Sequence, residues 1–145
     1  MSVLLITGAS RGIGAATARL AAERGYDVCV NFRVDEGAAA AVVSEVRAEG
    51  RRAVAIQADV AREPDVVRLF DAVEQALGRV DGLVNNAGIL ERQMRVEQMD
   101  ASRLERVFAT NVTGAFICAR EAVRRMSTRH GGSGGAIVNV SSRAA

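Results

Sequence analysis

The sequence is poor in residues that mark several classes of protein: it has no lysine, no tryptophan, one proline and two cysteines. Two cysteines are too few for the disulfide framework of a small secreted protein. Cys29 lies in an apolar strand pattern and Cys118 in an apolar helix pattern, so we expect buried free thiols rather than a disulfide or a metal site. No apolar run reaches membrane-spanning length, and the first residues already have the pattern of a core strand. We therefore expect neither a membrane segment nor a signal peptide.

Charge of neither sign is in large excess. Nineteen basic residues, all of them arginine, and 17 acidic residues leave a formal net charge of +2. The arginines are dispersed along the chain, and one tyrosine and four phenylalanines offer few rings for stacking on bases, so we expect no nucleic-acid partner. With 49% apolar and 25% charged residues, the 145-residue chain has the composition of a single cytoplasmic domain with its own core.

A glycine-rich turn follows the first apolar run and leads into a helical pattern: Thr7-Gly8-Ala9-Ser10-Arg11-Gly12-Ile13-Gly14. Glycines accept positive φ angles and let the backbone approach a bulky anion, and the first turn of a helix offers unpaired N–H groups to the same anion. The turn therefore predicts a phosphate site. Its spacing is G-x-x-x-G-x-G. The commoner G-x-G-x-x-G fingerprint does not fit, because Thr17 occupies the third position counted from Gly12 and Gly14.

Apolar strands alternate with amphipathic helices along the chain. Strands are predicted at 2–6, 27–32, 53–57, 82–85 and 136–140, with helices between them and the last helix from about 101 to 126. The residues predicted to be buried on the helices are Ile13, Ala16, Thr17, Leu20 and Ala21; Ala39, Val42, Val43 and Val46; Val66, Leu69, Phe70, Val73 and Leu77; and Leu104, Phe108, Ala115, Cys118, Ala122 and Met126. The alternation predicts an α/β fold, a Rossmann-type doubly wound parallel sheet of order 3-2-1-4-5, with ligands at the carboxyl ends of the strands.

Five motifs, in this order and over the whole chain, resemble those of the short-chain dehydrogenase/reductase family. They are the glycine turn at 7–14, Asp59-Val60, Asn85-Asn86-Ala87-Gly88, Asn111 within N-V-x-G, and the strand from Ile137 to Ser142. The resemblance implies an oxidoreductase that moves a hydride between a nicotinamide cofactor and a carbonyl or secondary-alcohol substrate. The stretch from Gly131 to Ser142 is most similar to that of bacterial glucose dehydrogenase-like and 3-oxoacyl-thioester-reductase-like members.

The motifs, together with Arg33 just after the second strand, give a set of residues expected to bind the cofactor. The set is Gly8, Ser10, Arg11, Gly12, Ile13, Gly14, Arg33, Asp59, Val60, Asn86, Ala87 and Gly88. Asp59 would accept a hydrogen bond from the adenine amino group. The alternative, a cap for the helix that starts near Glu63, requires too long a gap. Asn86 and its neighbour Asn85 could tie strand ends together, and Gly88 would admit the nicotinamide ribose; the alternative is an ordinary turn.

Two residues are expected to serve catalysis. Asn111 falls in the middle of the apolar stripe of the last helix, where a buried amide must find a hydrogen-bond partner. It is either a structural asparagine bound to a helix carbonyl or, as the resemblance implies, the residue that kinks the helix and holds a water of the proton relay. Ser142 would hydrogen-bond the substrate carbonyl oxygen, with Ser141 aiding the turn, although either serine could simply end a strand.

The end of the second strand predicts which cofactor is bound. A carboxylate there would bind the ribose 2′-hydroxyl of NAD(H), whereas an arginine would accept the 2′-phosphate of NADP(H). The sequence reads Asn31-Phe32-Arg33, Arg11 can converge on the same phosphate, and the acidic pair at 35–36 opens the next helix. We therefore expect NADP(H) in preference to NAD(H); the alternative is two solvated surface arginines.

The proton-transfer pair of the family, Tyr-x-x-x-Lys on the helix after the serine strand, has no counterpart here. The chain has no lysine, and Tyr26 lies at the start of the second strand. We expect an incomplete, inactive cofactor-binding portion, truncated after strand five, whose fifth strand and last helix expose apolar surface. The alternatives are a non-catalytic dinucleotide-binding module and an unrelated Rossmann enzyme such as an epimerase. The family is usually dimeric or tetrameric, and we expect no metal.

Overall fold

The computed structural model describes residues 2–143, which form a five-stranded parallel sheet of order β3-β2-β1-β4-β5. The strands are β1 (Val3–Ile6), β2 (Asp27–Phe32), β3 (Ala53–Gln57), β4 (Val80–Asn85) and β5 (Ala136–Asn139). The predicted fold class and strand order are confirmed. β4 begins earlier than the predicted residue 82, because Val80 already pairs with Val3 of β1.

Helices cover both faces of the sheet. They are α1 (Gly12–Glu23), α2 (Glu36–Ala48), α3 (Glu63–Leu77), α4 (Ala101–Phe108) and α5 (Gly114–Met126). α1 and α2 pack with Val28 and Val30 on one face, whereas α3 and α5 pack with Leu5 and Leu83 on the other. The predicted stripes of α2 and α3 are confirmed, since every member of each is buried. The sheet is therefore doubly wound.

The face of α1 that packs on the sheet is not the predicted one. It consists of Gly14, Ala15, Ala18, Ala21 and Ala22. Ile13 and Leu20, both expected in the core, are 64% and 50% exposed. The prediction was correct for Ala21 alone. Small residues form this face because a Cβ atom on Gly14 would lie 2.6 Å from atoms of the turns after β1 and β4, and because the alanines pack among Val28, Val30 and Val42.

The helix predicted from 101 to 126 is interrupted. α4 ends at Phe108, a π-helical turn covers Ala109–Thr113, and α5 begins at Gly114. Leu104 and Phe108 are 44% and 58% exposed, although Cys118, Ala122 and Met126 of α5 are buried as predicted. The stripe fails in its first half because a π turn inserts residues into the helical period and rotates α4 relative to α5.

Apolar surface is exposed at one side of the sheet. β5 lies at the edge of the sheet formed by residues 2–143, and its Val138 is 55% exposed; Phe116 on α5 is 73% exposed. The expected exposure of strand five and the last helix is confirmed. None of the helices within 2–143 is long and apolar enough to cross a membrane.

Both cysteines are buried and free, as predicted. Burial raises the pKa of the Cys118 thiol to about 12, and it raises the pKa of Cys29 as well. Both side chains are therefore neutral thiols that pack as small apolar groups.

Candidate functional site

A cleft of about 340 Å³ opens at the carboxyl ends of the first four strands. It lies where the strand order reverses, the place at which open α/β sheets bind ligands. The lining residues come from the turns after the strands and from the π-helical turn: Gly8, Ser10, Arg11, Gly12, Ile13, Asn31, Phe32, Arg33, Val34, Asp35, Ala58, Asp59, Val60, Asn86, Ala87, Gly88, Ile89 and Thr110. The cleft brings together every residue expected to bind cofactor except Gly14.

The glycine turn depends on backbone angles that other residues rarely adopt. Gly8 and Gly12 have φ angles of 61° and 57°. A Cβ atom on Gly8 would lie 2.9 Å from the Cα of Ala87, whereas one on Gly12 would meet nothing within 4 Å. Gly8 therefore allows two turns to approach each other, and Gly12 leaves open space at the start of α1.

Gly14 does not line the cleft, but its lack of a side chain lets α1 pack closely against the turns. A Cβ atom at this position would lie 2.6 Å from both the Nδ2 atom of Asn86 and the carbonyl oxygen of Gly8. Atoms of this kind cannot move aside without shifting the turns themselves. Gly14 thus holds the start of α1 against the turns after β1 and β4.

The amino end of α1 is suited to an anion. Within residues 2–143 no side chain caps this helix, and its first turn contains no acidic residue. The start of α3, by contrast, contains Glu63 and Asp65. The free N–H groups of α1 and its partial positive charge are therefore available to a phosphate in the cleft.

Thr7 ties the turn after β1 to the turn after β4. Its buried Oγ1 atom accepts hydrogen bonds from the N–H groups of Asn86 and Ala87, both at 3.0 Å. In return, the Nδ2 atom of Asn86 donates to the carbonyl oxygens of Thr7 and Gly8, also at 3.0 Å. The expectation that this amide links strand ends is confirmed. Apart from its place in the motif, no sequence pattern indicates the part that Thr7 plays.

Asn31 makes a second set of links, which sequence reasoning missed. Its Oδ1 atom accepts from the N–H of Gly8 at 3.1 Å, and its Nδ2 atom donates to the carbonyl oxygens of Ile56 and Ala58 at 3.2 and 3.1 Å. An amide within the otherwise apolar end of a buried strand was the available signal, because such a group must be hydrogen-bonded.

Asp59 is half-buried in the wall of the cleft. Its Oδ1 atom accepts from the N–H of Ala61 at 3.0 Å, and its own N–H donates to Asp65 at 2.9 Å. The residue at the N-cap position of α3 is Arg62. Asp59 therefore does not cap the helix, as expected, but its carboxylate shapes the turn that lines the cleft.

Two arginines of the cleft carry unneutralised charge. Arg11 and Arg33 both line it, and in the described part of the chain neither forms an ion pair. Asp35, the neighbouring acid, caps α2 by accepting from the N–H of Ala38 at 2.9 Å. As expected, this acid belongs to the helix, so the guanidinium groups remain available to an anion.

Asn111 is exposed, so the expectation of a buried amide is wrong. It lies in the π-helical turn and pairs with the backbone of Ile89: its Oδ1 atom accepts from the N–H at 2.7 Å, and its Nδ2 atom donates to the carbonyl at 2.9 Å. The π turn carries Asn111 out of the apolar stripe and fixes it to the chain that follows Gly88. The neighbouring Thr110, rather than Asn111, lines the cleft.

Ser142 follows β5 at the carboxyl edge of the sheet and is exposed, like Ser141. The strand that leads to it is held by Asn85, whose Nδ2 atom donates to Asn139 Oδ1 at 3.0 Å and whose carbonyl accepts from the N–H of Val140 at 3.0 Å. Among the described residues, neither serine belongs to the cleft lining. The same residues contain no cluster of three or more histidine, cysteine or acidic side chains that could hold a metal ion.

The sheet and its switch-point cleft define a Rossmann-type α/β domain. A family profile described as short chain dehydrogenase matches residues 2–145, and the chain belongs to that family.

Its relatives include oxidoreductases of several bacteria. It is 51% identical over 142 residues to the uncharacterized oxidoreductase YgfF of Escherichia coli (strain K12), a match that covers 98% of this chain and 58% of that protein. It is 40% identical over 138 residues to a 3-oxoacyl-[acyl-carrier-protein] reductase, FabG, of Staphylococcus epidermidis, covering 95% of this chain and 55% of that protein. The chain thus spans little more than half the length of these relatives.

A solved structure has the same fold. A double mutant of a Serratia marcescens short-chain dehydrogenase/reductase superposes with a TM-score of 0.90 at 33% sequence identity, over 98% of this chain and 56% of that one. The chain therefore corresponds to about half of the fold found in that protein.

Proposed function

We propose that this chain is the cofactor-binding portion of an oxidoreductase that uses NADP(H) to transfer a hydride to or from a carbonyl or secondary-alcohol substrate. The observation that carries the proposal is the cleft where the strand order reverses, at which the start of α1, capped by none of the described side chains, meets a glycine turn with open space at Gly12. When bound, the cofactor supplies the hydride. The chain supplies the geometry that holds the cofactor.

The lining residues fit such a cofactor. Backbone N–H groups of Gly12 and Ile13 would hold the pyrophosphate, because they begin helix α1, which no side chain of residues 2–143 caps. By the family resemblance, Asp59 would bind the adenine, and the turn from Asn86 to Gly88 would accept the nicotinamide ribose. Asn111 and Ser142 would act near the substrate, with Asn111 holding a water and Ser142 binding the carbonyl oxygen.

The preference for NADP(H) follows from Arg11 and Arg33, which line the cleft and form no ion pair with residues 2–143. A charge-assisted hydrogen bond contributes about 1.5–3 kcal/mol, so Arg33→Asp should weaken NADPH binding by roughly one to two orders of magnitude. NADH binding should change far less, because NADH carries no 2′-phosphate. Fluorescence titration with both cofactors measures the difference.

Arg129→Asp is the matched control, since it makes the same charge change on an exposed arginine outside the cleft. It should leave both affinities within about twofold, because exposed charges are screened. Equal losses of NADPH and NADH in Arg33→Asp would refute the preference.

We also propose that the 145-residue chain binds cofactor without turnover. It contains no lysine, and Tyr26 precedes β2 at the sheet edge opposite the cleft, out of reach of any proton transferred there. A panel of ketones, sugars and secondary alcohols with NADPH or NADP⁺ tests this, and measurable turnover would contradict it. A Tyr-x-x-x-Lys encoded downstream of residue 145 would support an oxidoreductase over a non-catalytic binding module.

A further inference from the structure

Asn31 occupies an unusual position for a polar side chain. It lies near the carboxyl end of β2, is 2% exposed, and follows the buried apolar residues Val28, Cys29 and Val30 of the same strand. Its amide group is saturated by backbone groups from two other strand ends, as described above. Its own carbonyl oxygen also accepts from the N–H of Ala9 at 2.8 Å.

These bonds connect two turns of the cleft that are distant from each other in the chain. The Oδ1 atom of Asn31 holds Gly8, where the glycine turn begins, and the Nδ2 atom holds Ala58, which precedes Asp59 and Val60. An aliphatic residue could make neither bond, and a carboxylate could accept from Gly8 but could not donate to a carbonyl. An amide can both accept from the N–H of Gly8 and donate to the carbonyl oxygen of Ala58.

We propose that Asn31 is a positioning residue for the dinucleotide: it sets the separation between the glycine turn and the Ala58–Val60 turn, so that one ligand can contact both. This inference rests on the proposed function. Asn31 acts through the two turns, because both polar atoms of its side chain are engaged by the protein's own backbone.

Asn31→Asp tests the donor side of the link. The change keeps the shape and the bond from Gly8, but at pH 8.5 it places a carboxylate against the carbonyl oxygens of Ile56 and Ala58. We expect NADP⁺ affinity, measured by calorimetric titration, to fall about tenfold or more, the effect of leaving buried polar groups unpaired. At pH 5.5 the affinity should recover in part, because burial raises the pKa of the new carboxyl and its protonated form can donate again.

Two further variants separate this role from charge and from stability. Asn31→Leu adds no charge, so it should weaken binding to a similar extent at both pH values. Val46→Ala removes buried apolar volume from α2, outside the cleft, so it should lower the thermal midpoint while affinity stays within about twofold. The wild-type chain, with the same Arg33, Asp35 and Asp59 around the cleft, supplies the pH baseline.

The outcomes are distinct. The inference is supported if the wild-type chain binds NADP⁺, both Asn31 variants bind it more weakly, and only Asn31→Asp regains affinity at pH 5.5. If the wild-type chain binds NADP⁺ and the folded Asn31 variants bind it equally well, the inference is overturned and the proposed function stands. A loss in Asn31→Asp but not in Asn31→Leu would also overturn it, by reducing the effect to charge. No NADP⁺ binding by the wild-type chain would overturn both proposals.

Discussion

The amino ends of the strands form one border of the sheet, the amino edge, and their carboxyl ends form the other, the carboxyl edge. These two edges use charged side chains in opposite ways. At the amino edge, the fully buried carboxylate of Asp27 accepts from the Arg51 guanidinium and from the N–H and Nε groups of Arg52, each at 2.9 Å. At the carboxyl edge, Arg11 and Arg33 are exposed and form no ion pair with residues 2–143, while neutral side chains such as Thr7 hold the turns together. Charge at one edge stabilises the fold, and charge at the other remains available to a ligand.

The difference indicates what each edge requires. A buried charge is tolerated only when it is paired, so the charged groups at the amino edge pair with one another. An anion site needs uncompensated cations and free N–H groups, so its framework must come from uncharged hydrogen bonds. The amides and the hydroxyl at the carboxyl edge meet that need without neutralising the arginines.

The largest effect on stability should come from Asp27→Ala at the amino edge. Removing one partner of a buried ion pair costs about 3–5 kcal/mol, and the lower end applies here because Arg52 is half-exposed and can be hydrated. Urea denaturation measures the loss. Asp71→Ala, which removes an exposed partner of Arg125, should cost under about 1 kcal/mol. Equal costs would show that the amino edge has no special role.

Gly14→Ala, at the carboxyl edge, should have the next largest effect on stability. Alanine normally favours a helix over glycine by about 1 kcal/mol. The contacts at 2.6 Å should outweigh that gain, because overpacking costs about 1–3 kcal/mol, and they should displace the turns that form the cleft. NADPH affinity and the urea midpoint should both fall.

Gly37→Ala in α2 is the control for the change at Gly14, since its nearest contact, with Asp35, would be an ordinary 3.7 Å. It should raise the midpoint slightly, by the helix preference alone. A Gly14→Ala chain that is more stable and binds normally would show that the close approach of α1 is dispensable.

Lowering the pH should remove the stabilisation that Asp27 provides at the amino edge. Burial works to raise the pKa of Asp27, but hydrogen bonds from Arg52 and Arg51 outweigh it and hold the pKa below its ordinary value. Because the folded-state pKa is the lower one, this contribution to stability is complete above about pH 4, the unfolded pKa, and is lost as the pH falls through the folded pKa. The urea midpoint of the wild type should therefore fall more steeply below pH 4 than that of Asp27→Asn. Parallel slopes would assign the acid sensitivity to other carboxylates.

The smallest stability effect should come from Arg33→Leu. The side chain is exposed and unpaired among the described residues, so the free energy of unfolding should change by no more than about 0.5 kcal/mol. NADPH affinity should fall nonetheless, since the 2′-phosphate loses its partner. Thermal melting with and without NADPH separates the two quantities, and a clear loss of stability without ligand would show that Arg33 also supports the fold.

The errors in the predicted buried residues are confined to particular helices. The patterns of α2 and α3 predicted their buried residues correctly, because valine, leucine and phenylalanine recur there at the helical period. The same rule failed on α1, where glycine and alanine rather than Ile13 and Leu20 form the buried face. It failed again before Gly114, since a π turn leaves no signal in apolar spacing.

The sequence by itself determined the alternation of strands and helices and the glycine turn, because periodicity and φ preference are local properties of the chain. The strand order was predicted from that alternation by analogy with the doubly wound α/β fold. Only the tertiary structure decided that Asn31 joins three strand ends, that Thr7 holds the turn after β4, and that Asn111 faces the backbone of Ile89. Each of these depends on which distant carbonyl or N–H group lies within 3.5 Å of a side chain, and that distance exists only once the strands are side by side.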